Sequence, residues 1–355
     1  MNNKFISLQI LRGLSALYVV FYHVYIIYMQ PEYGSKTLYQ DIAKHGFLGV
    51  CFFFVLSGFI ICSAHLKDIG IKEKLIPYVK KRFIRVYPIY WFYLTAFIVA
   101  ASLGFGYPDF SWNPINITSS YLLLPLAPDL TLPLKVAWTL LHEVMFYAAF
   151  ATAIYFGRKV IWLASIWVLC IIFNFLFNII PESTFFSVWN LYFIGGIFSY
   201  FLFSKIESKT SITLFVVSII MLIFYTFLSE DISRIRYLSD EKNAHLHVLL
   251  IIAFSLFVSS ISKMETFINF NRLKLLSIFG DASYSIYLVH SAAISLILIL
   301  IKKFKLTNIF SDQLMFIIIF LTASLVGVLC HYAVERPFLS FFNNRSKGGK
   351  AAHLK

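Results

Sequence analysis

The sequence predicts an all-α polytopic membrane protein, and three observations carry that reading. Apolar residues make up 59% of the 355-residue chain and charged residues only 13%, whereas a soluble domain carries about 25% charged residues. Mean hydropathy is +0.79. The apolar residues gather into about ten runs near the length that crosses a bilayer, separated mostly by short polar connections.

Those runs are about 5–28, 45–65, 86–105, 135–156, 160–180, 185–203, 211–228, 246–262, 280–301 and 312–334. An even number places both termini on one side. Of the 30 Lys and Arg, 20 fall in segments that lie inside if the N-terminus is cytoplasmic, and nine in the outer segments, with Arg12 intramembrane. The positive-inside bias therefore predicts cytoplasmic N- and C-termini. Lys302, Lys303 and Lys305 form an exception on the outer side. The net charge of +13 follows from these loop cations and points to no nucleic acid partner. A cleavable signal peptide is not expected, because Arg12 interrupts the first apolar run and no small-residue cleavage site follows. Residues 1–338 read as one membrane domain and 339–355 as a short basic cytoplasmic tail. The 106–134 loop is rich in Pro, Asn, Ser and Thr and reads as an outer lid or substrate-facing loop. Cys51, Cys62, Cys170 and Cys330 all fall in apolar runs and read as small buried hydrophobes, with no disulfide framework and no metal spacing.

The first run, LQILRGLSALYVVFYHVYIIY (8–28), carries Arg12 and His23. An ionisable side chain inside a membrane helix is costly and marks a functional site by default. The two are eleven residues apart, so they face nearly one direction about 16 Å apart along the axis. His23 sits in the outer half, roughly 6 Å below the edge of the hydrocarbon core. Its ordinary pKa makes it the natural general base near neutral pH. Glu143 enters from the outer side within WTLLHEVMFY (138–147), about 10 Å down. A carboxylate there needs a partner, with His23 and Arg12 the available ones. His142 points about 100° away and reads as a supporting or packing residue.

Three further blocks stand out. KKRFIRVYP (80–88) sets Arg82 and Arg85 three apart on one helix face at the cytoplasmic mouth of the third run, with Pro88 marking its start or a kink. Guanidinium forks suit phosphates, so this block could hold a phosphate-rich cofactor such as an acyl-CoA, or anchor a lipid headgroup. FFFVLSGFII (52–61) places Ser57-Gly58 in an aromatic run and reads mainly as close packing. FGDASYSIYLVHS (279–291) sets Tyr287 and His290 on one face. The closing VERPF (334–338) lets Glu335 pair with Arg336 or with the 80–85 block and reads as structural.

Taken in order, these blocks resemble the acyltransferase-3 family of integral membrane acyltransferases, which includes O-acetyltransferases of O-antigen, peptidoglycan and nodulation factors. The resemblance rests on Arg12 and His23, the Phe52–Phe59 run, Arg82 and Arg85 with Pro88, the Trp138–Tyr147 block, the Ser283–His290 block and the closing Glu335-Arg336-Pro337. Thr139 stands where the family usually has Ser, and Ser285 where Gly is common. The resemblance implies transfer of an acyl group, acetyl from acetyl-CoA foremost, to a sugar hydroxyl of a cell-surface polysaccharide or lipid-linked glycan. The setting it implies is the bacterial cytoplasmic (inner) membrane. It makes Arg12, His23, Arg82 and Arg85 the essential residues, adds Glu143 as a catalytic candidate, and leaves Ser57, Trp138, Tyr287 and His290 as supporting positions. On this reading CoA phosphates dock on Arg82 and Arg85, and the thioester reaches His23, which deprotonates the acceptor hydroxyl. A covalent acyl-His intermediate is the alternative chemistry. No metal is expected. The competing function is a proton-coupled transporter or flippase for a lipid-linked sugar, with Arg12, His23 and Glu143 as the relay.

Overall fold

The computed structural model describes residues 5–31, 36–104, 110–126, 130–177, 179–180, 183–229, 244–305 and 309–342. Residues 343–355 of the basic tail, most of the 229–245 loop and parts of the 106–134 loop lie outside the described residues, as do Lys4, Arg234, Arg236 and Lys242.

The described residues form helices and no strand. In chain order they are α1 (Ile6–Tyr28), the single turn α2 (Gln40–Ala43), α3 (Leu48–His65), α4 (Leu75–Ser102), α5 (Pro114–Leu122), α6 (Trp138–Phe156), α7 (Val160–Phe177), α8 (Trp189–Lys205), α9 (Ser208–Leu228), α10 (Ala244–Met264), α11 (Ser277–Lys303) and α12 (Asp312–Cys330). A π-helical turn, His331–Glu335, extends α12. Each of the ten predicted runs has its helix. Among the described residues, eight stretches are long and apolar enough to cross a membrane. One of them, Lys135–Phe177, contains both α6 and α7, joined through Gly157–Lys159. The chain is thus a multi-pass, all-helical membrane protein.

Two boundaries differ from the hydropathy reading. Helix α4 begins at Leu75, not near residue 86, and Pro88 lies inside it. Arg82 and Arg85 therefore stand seven and ten residues into a helix, about 10 and 15 Å from its start, and do not form its mouth. Hydropathy registers only apolar length, so a charged helical extension beyond it goes unseen. The last helical stretch likewise runs to Phe342. The 106–134 loop contains α5, whose start is set by Asn113: its side chain accepts from Ile115 N–H at 2.9 Å, with Pro114 following. Tyr87 and Tyr90 hydroxyls and the Trp91 indole N–H, all on α4, donate to the carbonyls of Leu122, Ser120 and Tyr121, each at 2.8 Å. This part of the expected lid is a helix fastened to α4.

The chain divides into two compact units, one of residues 1–72 and 142–281, the other of residues 73–141 and 282–355. In the first unit α1, α3, α8, α9 and α10 pack together. Its core holds Tyr22, Tyr25, Phe47, Phe59, Tyr192, Phe193 and Tyr225, with Phe193 stacked on Phe146 at 4.6 Å between centroids. Helices α3 and α8 meet through two glycines. A Cβ on Gly58 would run into the Phe193 carbonyl, and one on Gly196 into the Val55 carbonyl. Small residues permit backbone contact where lipid supplies no hydrophobic drive between helices. Helix α7 contributes little to this core: only Val160 and Ile171 are buried. Cys170 on α7 is accordingly exposed and Cys330 half-buried, so only Cys51 and Cys62 are the buried cysteines expected from sequence. In the second unit, Tyr78, Ile89, Tyr90 and Phe316 are fully buried.

The α3–α8 contact leaves no room for a larger residue. Gly58→Leu is expected to destabilise the protein by about 3 kcal/mol or more, measured as thermal unfolding in detergent against Ile161→Val on exposed α7, which should be neutral. An unchanged unfolding profile for Gly58→Leu would show that the helices do not meet there.

Candidate active site

Helix α1 turns Gly13, Ala16, Val19, Val20, Val24 and Tyr25 into the first unit, while Arg12 and His23 are only half-buried beside that packed face. Its N-terminus is fixed by Glu265, whose carboxylate accepts from Ile6 N–H at 2.6 Å, Ser7 N–H at 3.0 Å and the Ser7 hydroxyl at 2.5 Å. These are donors that a helix start leaves without intrahelical partners, and an anion suits that end of the helix dipole. Sequence reasoning passes over Glu265, because nothing local links a carboxylate after α10 to residues 6 and 7.

The His23 ring lies edge-on to Tyr22, 5.3 Å between centroids. Its Nδ1 is 2.8 Å from the Val19 carbonyl. A carbonyl only accepts, so Nδ1 carries the proton. In the neutral ring the basic lone pair is then on Nε2. This is the tautomer a general base requires, set by the turn of helix that precedes it.

Glu143 belongs to the same unit. Its Oε1 accepts from the Ser57 hydroxyl on α3 at 3.3 Å and from the Tyr147 hydroxyl one turn further along α6. Ser57 thus does more than pack: Gly58 faces α8, and Ser57, about 100° round α3, supplies a donor to Glu143. Sequence reasoning passes over Tyr147, although it stands four residues from Glu143, one helical turn away. His142 is buried, with Nδ1 3.0 Å from Asn190 Oδ1, as expected of a packing residue.

The second unit holds the remaining predicted residues. The Arg82 guanidinium lies over the Tyr78 ring, 5.7 Å from its centroid. Arg85 does the same over Tyr284 at 5.7 Å, and its Nη1 donates to Glu335 Oε1 at 3.3 Å. The Glu335 carboxylate also accepts from Ser285 Oγ at 2.8 Å and pairs with His331 Nδ1 at 2.9 Å. Trp138 is half-buried at the start of α6. The Tyr287 hydroxyl meets the Thr139 hydroxyl at 3.1 Å and the Val136 carbonyl at 3.3 Å, so Thr139 supplies the hydroxyl that a Ser would. His290 is fully buried, with Nδ1 2.7 Å from the Tyr287 carbonyl. The expected common face of Tyr287 and His290 is real, and both are held by backbone carbonyls. Among the described residues, no group of three or more His, Cys, Asp and Glu side chains is arranged to hold a metal ion.

The acyltransferase domain family (Acyl_transf_3) matches residues 5–335. The exopolysaccharide production protein ExoZ of Rhizobium meliloti (strain 1021) is 25% identical over 316 residues, covering 83% of this chain and 90% of that protein. No solved structure matches.

The His23 geometry can be read directly. In protein labelled with 15N-histidine, the His23 signal, assigned by its loss in His23→Gln, is expected to show a protonated Nδ1 and an unprotonated Nε2 in the neutral ring. The opposite tautomer would remove the base from Nε2.

Proposed function

The chain belongs to the acyltransferase-3 family, and on that premise we propose that it transfers an acyl group, acetyl from acetyl-CoA, to a sugar hydroxyl of a cell-surface polysaccharide or lipid-linked glycan. The family match over residues 5–335 is the observation that carries this reading. The relative named for exopolysaccharide production supports a polysaccharide acceptor. The proposed setting is the bacterial inner membrane with both termini cytoplasmic, supported by the loop charge bias.

In the proposed reaction, His23 Nε2 takes the proton of the acceptor hydroxyl as its oxygen attacks the thioester carbonyl carbon. The C–O bond forms, the C–S bond breaks, and the proton passes to the departing thiolate. The products are a sugar ester and CoA thiol. Arg12, about 16 Å along the same stripe, adds long-range positive potential, not a contact to the developing oxyanion. Glu143, held by Ser57 and Tyr147, orients the acceptor or stabilises the imidazolium. Arg82 and Arg85 take the CoA phosphates. Thr139, Tyr287 and His290 frame the second unit and touch neither reactant on this reading.

The test is CoA-thiol release from acetyl-CoA in membranes supplied with the cell's own glycan. His23→Ala should lower release by about a hundredfold or more while insertion and yield are unchanged. Release at the wild-type rate would end the assignment of His23. Arg82→Ala and Arg85→Ala should each raise the KM for acetyl-CoA about tenfold, and unchanged donor affinity would return both to a topological role. Glycan movement without thiol release would indicate transport instead. Mass analysis of surface polysaccharide with and without the gene identifies the acceptor.

A further inference from the structure

Glu335 is fully buried, and the reaction above leaves it without a part. A carboxylate in that position is stable only if its charge is met by donors. It has three: Arg85 at Oε1, and Ser285 and His331 at Oε2. Sequence reasoning reads the pair as structural. The arrangement around Arg85 indicates more. Its guanidinium is held on one side by Glu335 and on its face by the Tyr284 ring. Tyr284 is itself fixed, its hydroxyl donating to the Val86 carbonyl at 2.9 Å. A long side chain that ordinarily samples many rotamers is thus confined on two sides. One of its five N–H donors is spent on Glu335, and the side chain stays 30% exposed.

We propose that Glu335 is a positioning residue that fixes the Arg85 guanidinium so that its remaining donors meet a phosphate of the acyl donor, with Ser285 and His331 steadying the carboxylate. The inference rests on the donor-binding reading of Arg85. The π-helical turn fits this role. Pro337 has no N–H to donate to the Ala333 carbonyl, the helix widens over His331–Glu335, and such turns recur at functional sites. Ser285, standing where the family commonly has Gly, adds one donor to the carboxylate.

A merely structural ion pair would also be lost on substitution, so the test is a double-mutant cycle on donor binding. Full-length protein in detergent is used, with the KM for acetyl-CoA and kcat measured separately and direct CoA binding followed by calorimetry. Glu335→Gln keeps the shape and removes the charge. It is expected to raise the donor KM and weaken CoA binding about tenfold, with kcat within twofold. In an Arg85→Ala background the same substitution should add nothing further, because the residue it positions is gone. Ser285→Gly should shift KM in the same direction by about threefold, and it serves if Glu335→Gln does not fold. An unchanged KM in both single variants, or an equal rise with and without Arg85, would overturn the positioning role while leaving donor binding intact. Wild-type protein that neither binds CoA nor releases its thiol would overturn the donor reading itself.

Discussion

A carboxylate within a membrane helix has to find hydrogen-bond donors inside the protein, and this chain meets that requirement in two ways. Glu335 is fully buried and takes three donors, one of them a guanidinium. Glu143 is half-buried and takes two neutral hydroxyls on one oxygen. The difference follows from desolvation: a fully buried anion without a cation is costly by several kcal/mol, whereas one at the edge of a wet interior keeps part of its hydration. Glu335 is thus suited to hold other groups still, and Glu143 to meet a group that arrives.

The packing that supports these side chains rests on residues with little or no side chain. Gly58 and Gly196 bring α3 and α8 to backbone contact, which fixes the rotation of α3 about its axis. That rotation decides which face Ser57 occupies, and so whether Glu143 has its second hydroxyl. Helix α1 is placed in a similar manner, by Gly13 against the start of α11 and by the Glu265 carboxylate at its N-terminus. Each of these polar contacts is therefore set by a close approach of backbones elsewhere.

The helices were legible because each leaves an apolar run, and all ten runs have a counterpart. What was not legible was anything that hydropathy does not weigh. The charged first three turns of α4 and the polar, nine-residue α5 fall in this class. Among the site residues, Arg12, His23 and Glu143 stood out because ionisable groups are rare and costly in a membrane helix. Tyr147, Ser285 and Glu265 did not, and Ser57 reads mainly as packing. A hydroxyl in a helix can satisfy itself on the preceding turn, so its presence carries no signal until the partner is known. Only Tyr147 had a local cue, its position one turn from Glu143. Arg82 and Arg85 were visible as a cluster, but their stacking on Tyr78 and Tyr284 depends on a helix that begins well before the apolar run.

The widened turn at His331–Glu335 has a consequence for how this protein can vary. A π-helical turn corresponds to one residue more than a regular helix would use over the same rise. Loss of a single residue between His331 and Glu335 would let α12 continue as an ordinary α-helix, short only of the bond that Pro337 cannot donate. Because the turn absorbs that residue locally, the helix beyond it would keep its phase, and Glu335 would stand three residues after His331 instead of four, on nearly the same face. A one-residue change of length, which elsewhere in a packed helix turns every later side chain by about 100°, is here taken up within a single turn. Arg336 alone separates Glu335 from Pro337, and the helix runs on past both to Phe342.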